Sequence, residues 1–112
     1  MRAYNQGEIV EIVFPFDEGT GSKQRPAIVL ADEGDTLIAV KVTSQHKGRK
    51  WDIELPKDVG NGLAFDSVIQ VDTVRKLSKK ALCSVIPRGN VNSLQMSLIL
   101  ERIKEYRESL RE

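Results

Sequence analysis

Arg25-Pro26-Ala27-Ile28-Val29-Leu30-Ala31, followed after Asp32-Glu33-Gly34-Asp35 by Thr36-Leu37-Ile38-Ala39-Val40-Lys41-Val42, decides the fold. The first run is continuously apolar with proline near its start, where a missing N–H does least harm, and it reads as a central strand. The polar, glycine-containing tetrapeptide predicts a tight turn, and the second run supplies an antiparallel partner, so the two form a hairpin. Upstream, Glu8-Ile9-Val10-Glu11-Ile12-Val13-Phe14 reads as a first strand that Pro15 ends. Asp17-Glu18-Gly19-Thr20-Gly21-Ser22-Lys23-Gln24 has the glycine and small polar residues of a mobile loop. Downstream, residues 45–50 read as a polar loop, and Trp51-Asp52-Ile53-Glu54-Leu55 alternates as a half-exposed strand with Trp51, Ile53 and Leu55 on its buried face. Ser67-Val68-Ile69-Gln70-Val71-Asp72 and Leu82-Cys83-Ser84-Val85-Ile86 are the remaining predicted strands, with Cys83 buried in the last. From Asn92 the apolar period becomes helical through Leu94, Leu98, Ile99, Ile103, Tyr106 and Leu110. Asn92 with Gln95 predicts a capping box, and Val91 with Met96 a hydrophobic staple. Short hairpin-linked strands followed by one helix predict an α+β, mainly β fold: a small, strongly bent barrel of antiparallel strands with a C-terminal α-helix.

The length of 112 residues gives room for one core, so residues 1–112 are read as a single domain. Hydrophobic residues at 40% and charged residues at 29% are the balance of a folded protein, and a chain this short gains stability by pairing with a copy of itself. The N-terminus has no apolar leader and no window has the roughly 20 apolar residues of a membrane span, so a cytoplasmic protein is expected. Cys83 is the only cysteine, which excludes an internal disulfide and any multi-cysteine zinc site. Net charge is +1, but residues 41–50 carry Lys41, His46, Lys47, Arg49 and Lys50 without an acid, and residues 73–91 carry Arg75, Lys76, Lys79, Lys80 and Arg88 without one. Such stretches suit a phosphate backbone and equally suit solvated loops whose lysines guard strand edges.

Motifs for nucleotide and zinc chemistry are missing: there is no Gly-x-x-x-x-Gly-Lys loop, no Gly-x-Gly-x-x-Gly after a strand and no His-Glu-x-x-His. A serine–histidine–aspartate triad would have to use His46, and no serine has a nucleophile-elbow context. What remains is a pairing set by the hairpin: Arg25 enters one strand at the end where Thr43-Ser44 leaves the other. A guanidinium fork beside a hydroxyl forms a site for a phosphate anion, and the loop that ends at Gln24 borders it. Arg25 is equally accounted for as a surface residue paired with Asp72 or Asp66, and threonine is at home at strand ends. His46 alone titrates near neutral pH unperturbed, although a lone histidine in a basic loop is more often solvated than catalytic.

The order of these residues resembles the MazF/PemK family of type II toxin–antitoxin toxins. Gly7-Glu8-Ile9-Val10, Phe14-Pro15-Phe16 and Gly21-Ser22-Lys23-Gln24-Arg25-Pro26-Ala27-Ile28-Val29-Leu30 resemble its opening. Val42-Thr43-Ser44-Gln45 with Lys47-Gly48 resembles its second motif, and Asp66-Ser67-Val68-Ile69 through Asp72 to Arg75 its third. The resemblance implies an SH3-like barrel, a homodimer, and a sequence-specific endoribonuclease that uses no metal or other cofactor. It also implies a cognate antitoxin whose extended tail occupies the RNA groove. Arg25 and Thr43 match the family's catalytic pair, with His46 or Asp72 as general base or support. Ser22, Lys23, Gln24, Ser44, Gln45, Lys47 and Gln70 are the expected RNA-binding positions on single-stranded RNA. The chain departs from the pattern in lacking a Glu-Gln-x-Gly stretch before Arg25 and in placing Gln70 where some relatives have a basic residue.

The expected reaction is attack of a ribose 2′-hydroxyl on the adjacent phosphate, giving 2′,3′-cyclic phosphate and 5′-hydroxyl ends. A guanidinium is a poor base, so Arg25 is expected to hold charge rather than take a proton. The rival reading is a non-enzymatic barrel toxin that binds a protein target, for which the Arg25 and Thr43 pair is not required. A DNA-binding repressor is disfavoured because no helix-turn-helix precedes the single helix.

Overall fold

The computed structural model describes residues 2–15, 21–45 and 48–111, so residues 16–20, His46 and Lys47, with the Ser22 side chain, lie outside the described part. Six strands, β1 (Glu8–Pro15), β2 (Ser22–Asp32), β3 (Thr36–Thr43), β4 (Ile53–Leu55), β5 (Ser67–Ser78) and β6 (Gly89–Asn90), precede one helix, α1 (Ser93–Ser109). They form a curled antiparallel sheet in the order β4-β5-β3-β2-β1-β6. The shape is the expected mainly-β half-barrel with a C-terminal helix.

The central strands are apolar on both sides because both faces of the sheet are covered. One face carries Ile9, Ile28, Val40, Val42 and Ile69 against Met96, Ile99 and Ile103 of α1. The other carries Val10, Ile12, Phe14, Ala27, Val29 and Leu37, with Tyr4, Ala81 and Leu82 packed among them. The Asn92 cap forms as predicted: its side chain accepts from Gln95 N–H at 2.8 Å and Gln95 Oε1 accepts from Asn92 N–H at 2.9 Å. Val91 and Met96 are both buried in the same core. That anchoring rotates the helix so that the buried stripe runs Met96, Ile99, Ile103, Tyr106, whereas Leu94, Leu98 and Leu110 are exposed. Of the predicted face, Ile99, Ile103 and Tyr106 are packed and the three leucines are not, so it is partly corrected.

The predicted hairpin forms around Gly34, whose φ of +91° suits a residue without Cβ. Pairing runs from Asp32↔Leu37 to Ala27↔Lys41, with one extra residue, Leu30, between Val29↔Ala39 and Ala31↔Ile38. β2 starts earlier than expected: residues 22–24 are strand, paired to β1 through Pro15↔Ser22. Pro26 falls where β2 pairs with β1 alone and the ladder to β3 has not begun. β5 is twice the predicted length because Leu37, Ile38 and Ala39 give it partners as far as Leu77, Lys76 and Arg75. Val40 and Lys41, adjacent on β3, pair with Val74 and Gln70, so residues 71–73 form a bulge.

Two expectations fail. Residues 82–86 are not a strand: Cys83 N–H donates to Glu11 O and Arg88 N–H to Ile9 O, and the chain arches outward between those contacts through a Ser84 turn. Cys83, Val85 and Ile86 are consequently exposed. Trp51 precedes β4 and is half-buried, set edge-on to Tyr106 with 5.9 Å between ring centroids; Ile53 and Leu55 are buried as predicted.

Asp32 fixes the hairpin turn to the rest of the molecule. Its Oδ1 accepts from Gly34 N–H at 2.9 Å, and its Oδ2 accepts from Tyr4 N–H at 2.7 Å and from Lys79 Nζ at 2.9 Å. Lys79, buried, also donates to Arg2 O at 3.0 Å. The Lys79 hydrogen bond, joined by the two amides, lowers the Asp32 pKa to about 2. Because this folded-state value lies below the unfolded value of about 3.9, the associated stability is complete above that value and is lost as pH falls toward 2. Thermal midpoints should therefore fall between roughly pH 4 and pH 2, and Asp32→Asn should flatten that part of the profile in a calorimetric pH series.

Candidate nucleic-acid cleavage site

Extending the hairpin register two residues beyond Ala27↔Lys41 sets Arg25 opposite Thr43. Arg25 Nη1 donates to Thr43 Oγ1 at 3.1 Å, and Gln45 N–H donates to the same oxygen at 3.2 Å. The hydroxyl's two lone pairs are thus engaged, which leaves its own O–H to donate elsewhere. Thr43 is buried while Arg25 is half-buried, and among the described residues no carboxylate pairs with Arg25. The local result is a guanidinium and a hydroxyl, both donors, facing the same space. That is an arrangement for an anion.

Lys41 lies two residues from Thr43 on β3 and in register with Gln70 on β5, so all four side chains share one sheet face. Gln70 is 2% exposed and its Oε1 has no hydrogen-bond partner among the described residues. The bulge carries Asp72 away: it forms an ion pair with Arg49, accepts from Thr73 Oγ1 at 3.1 Å, and borders a separate hollow beside Tyr106.

The strand ends open into a cleft of about 300 Å³, bordered by Lys23, Gln24, Arg25, Thr43 and Ser44. Five of the expected site residues are therefore gathered there. Gln45 contributes its amide to Thr43 and is not part of the cleft wall. The cleft is also lined by Glu11, Leu63, Phe65, Ser67 and Arg88, of which Glu11, Leu63 and Phe65 are not singled out by the sequence reading. Their signals are a carboxylate in the middle of β1, between Val10 and Ile12, and an aromatic in the loop before β5. Glu11 forms an ion pair with Arg88 and accepts from Gln24 Nε2 at 3.3 Å. Among the described residues, no three of His, Cys, Asp and Glu are grouped so as to hold a metal ion, and no helix is long and apolar enough to cross a membrane.

Residues 5–106 match the model of the family described as PemK-like, MazF-like toxin of type II toxin–antitoxin system. The chain belongs to this family. No curated protein matches its sequence. The fold is shared with MazF from Deinococcus radiodurans at a TM-score of 0.74 and 18% identity, covering 95% of this chain and 97% of that one. It is shared also with a mycobacterial endoribonuclease solved in complex with its cognate antitoxin, at a TM-score of 0.67 and 16% identity over 92% and 93% of the two chains. The Mycobacterium tuberculosis toxin MazF-mt6 superposes at a TM-score of 0.67 with 20% identity over 88% and 93%. This family is one of endoribonuclease toxins.

Thr43→Val keeps the shape but removes the acceptor shared by Arg25 and Gln45. Urea unfolding should show a loss of roughly 1–3 kcal/mol, and Thr43→Ser should restore most of it.

Proposed function

We propose that this toxin cuts single-stranded RNA at the Arg25–Thr43 pair, without a metal or other cofactor. The observation that carries the reading is the 3.1 Å hydrogen bond that holds a guanidinium and a hydroxyl together at the mouth of a cleft. The ribose 2′-oxygen attacks the adjacent phosphorus, the bond to the 5′-oxygen breaks, and 2′,3′-cyclic phosphate and 5′-hydroxyl ends result. Charge grows on the phosphate oxygens during attack. Arg25 stabilises it with fixed donors and Thr43 adds its free O–H. Ser22, Lys23, Gln24, Ser44, Gln45, Lys47 and Gln70 are the RNA-binding positions of this reading, and Lys23, Gln24 and Ser44 among them border the cleft.

The same reading gives the protein a second copy of itself and a cognate antitoxin as partners, and the cytoplasm as its place. Exposed Leu94, Leu98, Leu100, Val85 and Ile86 are apolar surface that such assembly would cover.

Purified protein incubated with a long single-stranded RNA in EDTA should give discrete fragments with 5′-hydroxyl ends. Intact RNA would overturn the reading in favour of a barrel that binds a protein target. Arg25→Ala should slow cleavage by about two to three orders of magnitude, the effect of losing one oxyanion donor.

His46 and Asp72 are the two expected acceptors of the 2′ proton, and the turn of Asp72 away from Arg25, with its ion pair to Arg49, favours His46. His46→Ala should slow cleavage in the same RNA assay more than Asp72→Asn does.

A further inference from the structure

The part of the cleft lined by Phe65, Glu11 and Arg88 has a construction that phosphate chemistry does not require. Phe65 is 68% exposed there, yet the loop that presents it is tightly built. Buried Asn61 accepts from the amides of Asp58 and Leu63, each at 3.0 Å, and donates to Pro56 O at 2.9 Å. Lys57 N–H is held by Asp66 Oδ1 at 3.0 Å. Gly62, at φ +66°, packs so closely on Arg88 that a Cβ would stand 2.2 Å from Arg88 O. The loop bearing Phe65 and the strand end bearing Arg88 are thus locked together, with an aromatic face left in water.

Next to it Glu11 and Arg88 form their ion pair, with Gln24 Nε2 on the second carboxylate oxygen. Glu11 is opposite Pro26 in the register, so its side chain leaves the sheet on the side opposite to Arg25. Both nevertheless border one cleft, which wraps around the ends of β1, β2 and β3. An RNA strand whose phosphate sits at Arg25 therefore passes this wall with a neighbouring nucleotide.

We propose that Phe65, Glu11 and Arg88 form a subsite for one unstacked guanine beside the scissile phosphate. This rests on the reading of the site as a ribonuclease. Exposed aromatic rings stack on the faces of unpaired bases. A carboxylate only accepts and has about four lone-pair positions, of which Arg88 and Gln24 occupy two. The remaining two match the adjacent N1–H and N2–H donors of guanine. Arg88, which only donates, then meets the O6 acceptor that adjoins N1. Cytosine has a single exocyclic donor and uracil a single imino donor, so neither edge fills the pair.

The test is cleavage of a randomised single-stranded RNA pool by the wild-type protein, followed by a defined substrate in which the selected guanine is replaced by inosine, which lacks the N2 amino group. Guanine should be enriched at one fixed position from the cut, and inosine there should lower kcat/KM by about tenfold or more. Glu11→Gln should reduce the guanine preference by a similar factor. Phe65→Ala should slow all substrates without changing base identity, and Phe65→Trp should restore the rate. Wild-type cutting with no fixed guanine, or equal cutting of the inosine substrate, overturns the subsite and leaves the nuclease intact. Absence of any cutting overturns both. Because the inosine comparison uses unaltered protein, it holds even if Glu11→Gln fails to fold.

Discussion

The register of the β2–β3 hairpin is the constraint on which the site depends. A shift of one residue would send every side chain of a strand to the other face. Arg25 would then lose Thr43, and the apolar residues of both faces would exchange places. Three features hold the register: the left-handed Gly34 turn, the Leu30 bulge, and the Asp32 carboxylate that ties the turn to Tyr4 and buried Lys79. The ionic cluster lies at one end of the hairpin and the anion site at the other, so the first sets the alignment that the second uses.

Burial of both sheet faces explains how so small a chain holds that alignment. The helix seals one side through Met96, Ile99 and Ile103. The segment from Tyr4 and the turn with Ala81 and Leu82 seal the other. Strand ends project beyond these covers, and there the polar residues of the cleft gather. Half-burial of Arg25 reduces the water competing for its donors, while its anchor on Thr43 limits the conformations that an incoming phosphate must select among.

Local chemistry made much of this readable. A glycine between two apolar runs set the hairpin, and hairpin counting brought Arg25 to Thr43. Asn92 and Gln95 marked the helix start because both partners of the cap lie within one turn. What the sequence hid depends on distant segments. The length of β5 comes from β3, which offers partners as far as Thr36, and the displacement of Asp72 comes from a bulge that no periodicity reveals. Residues 82–86 have strand composition, but β1 grips that stretch only at its two ends, and propensity gives way to the arch. In the helix, the apolar period included Leu94, Leu98 and Leu110, which the packing around Val91 and Met96 leaves exposed, while Ile99, Ile103 and Tyr106 are packed as expected. Glu11, Phe65 and Arg88 lie in separate parts of the chain, so only the fold shows them around one space.

The sheet ends on strands of three and two residues, β4 and β6. They cover little of the strands behind them: β4 pairs only with Ser67, Val68 and Ile69 of β5, and β6 only with Glu8 and Ile9 of β1. Beyond Ile69, β5 has no strand on that side among the described residues, so this is the part of the border where an extended peptide finds the most backbone to meet.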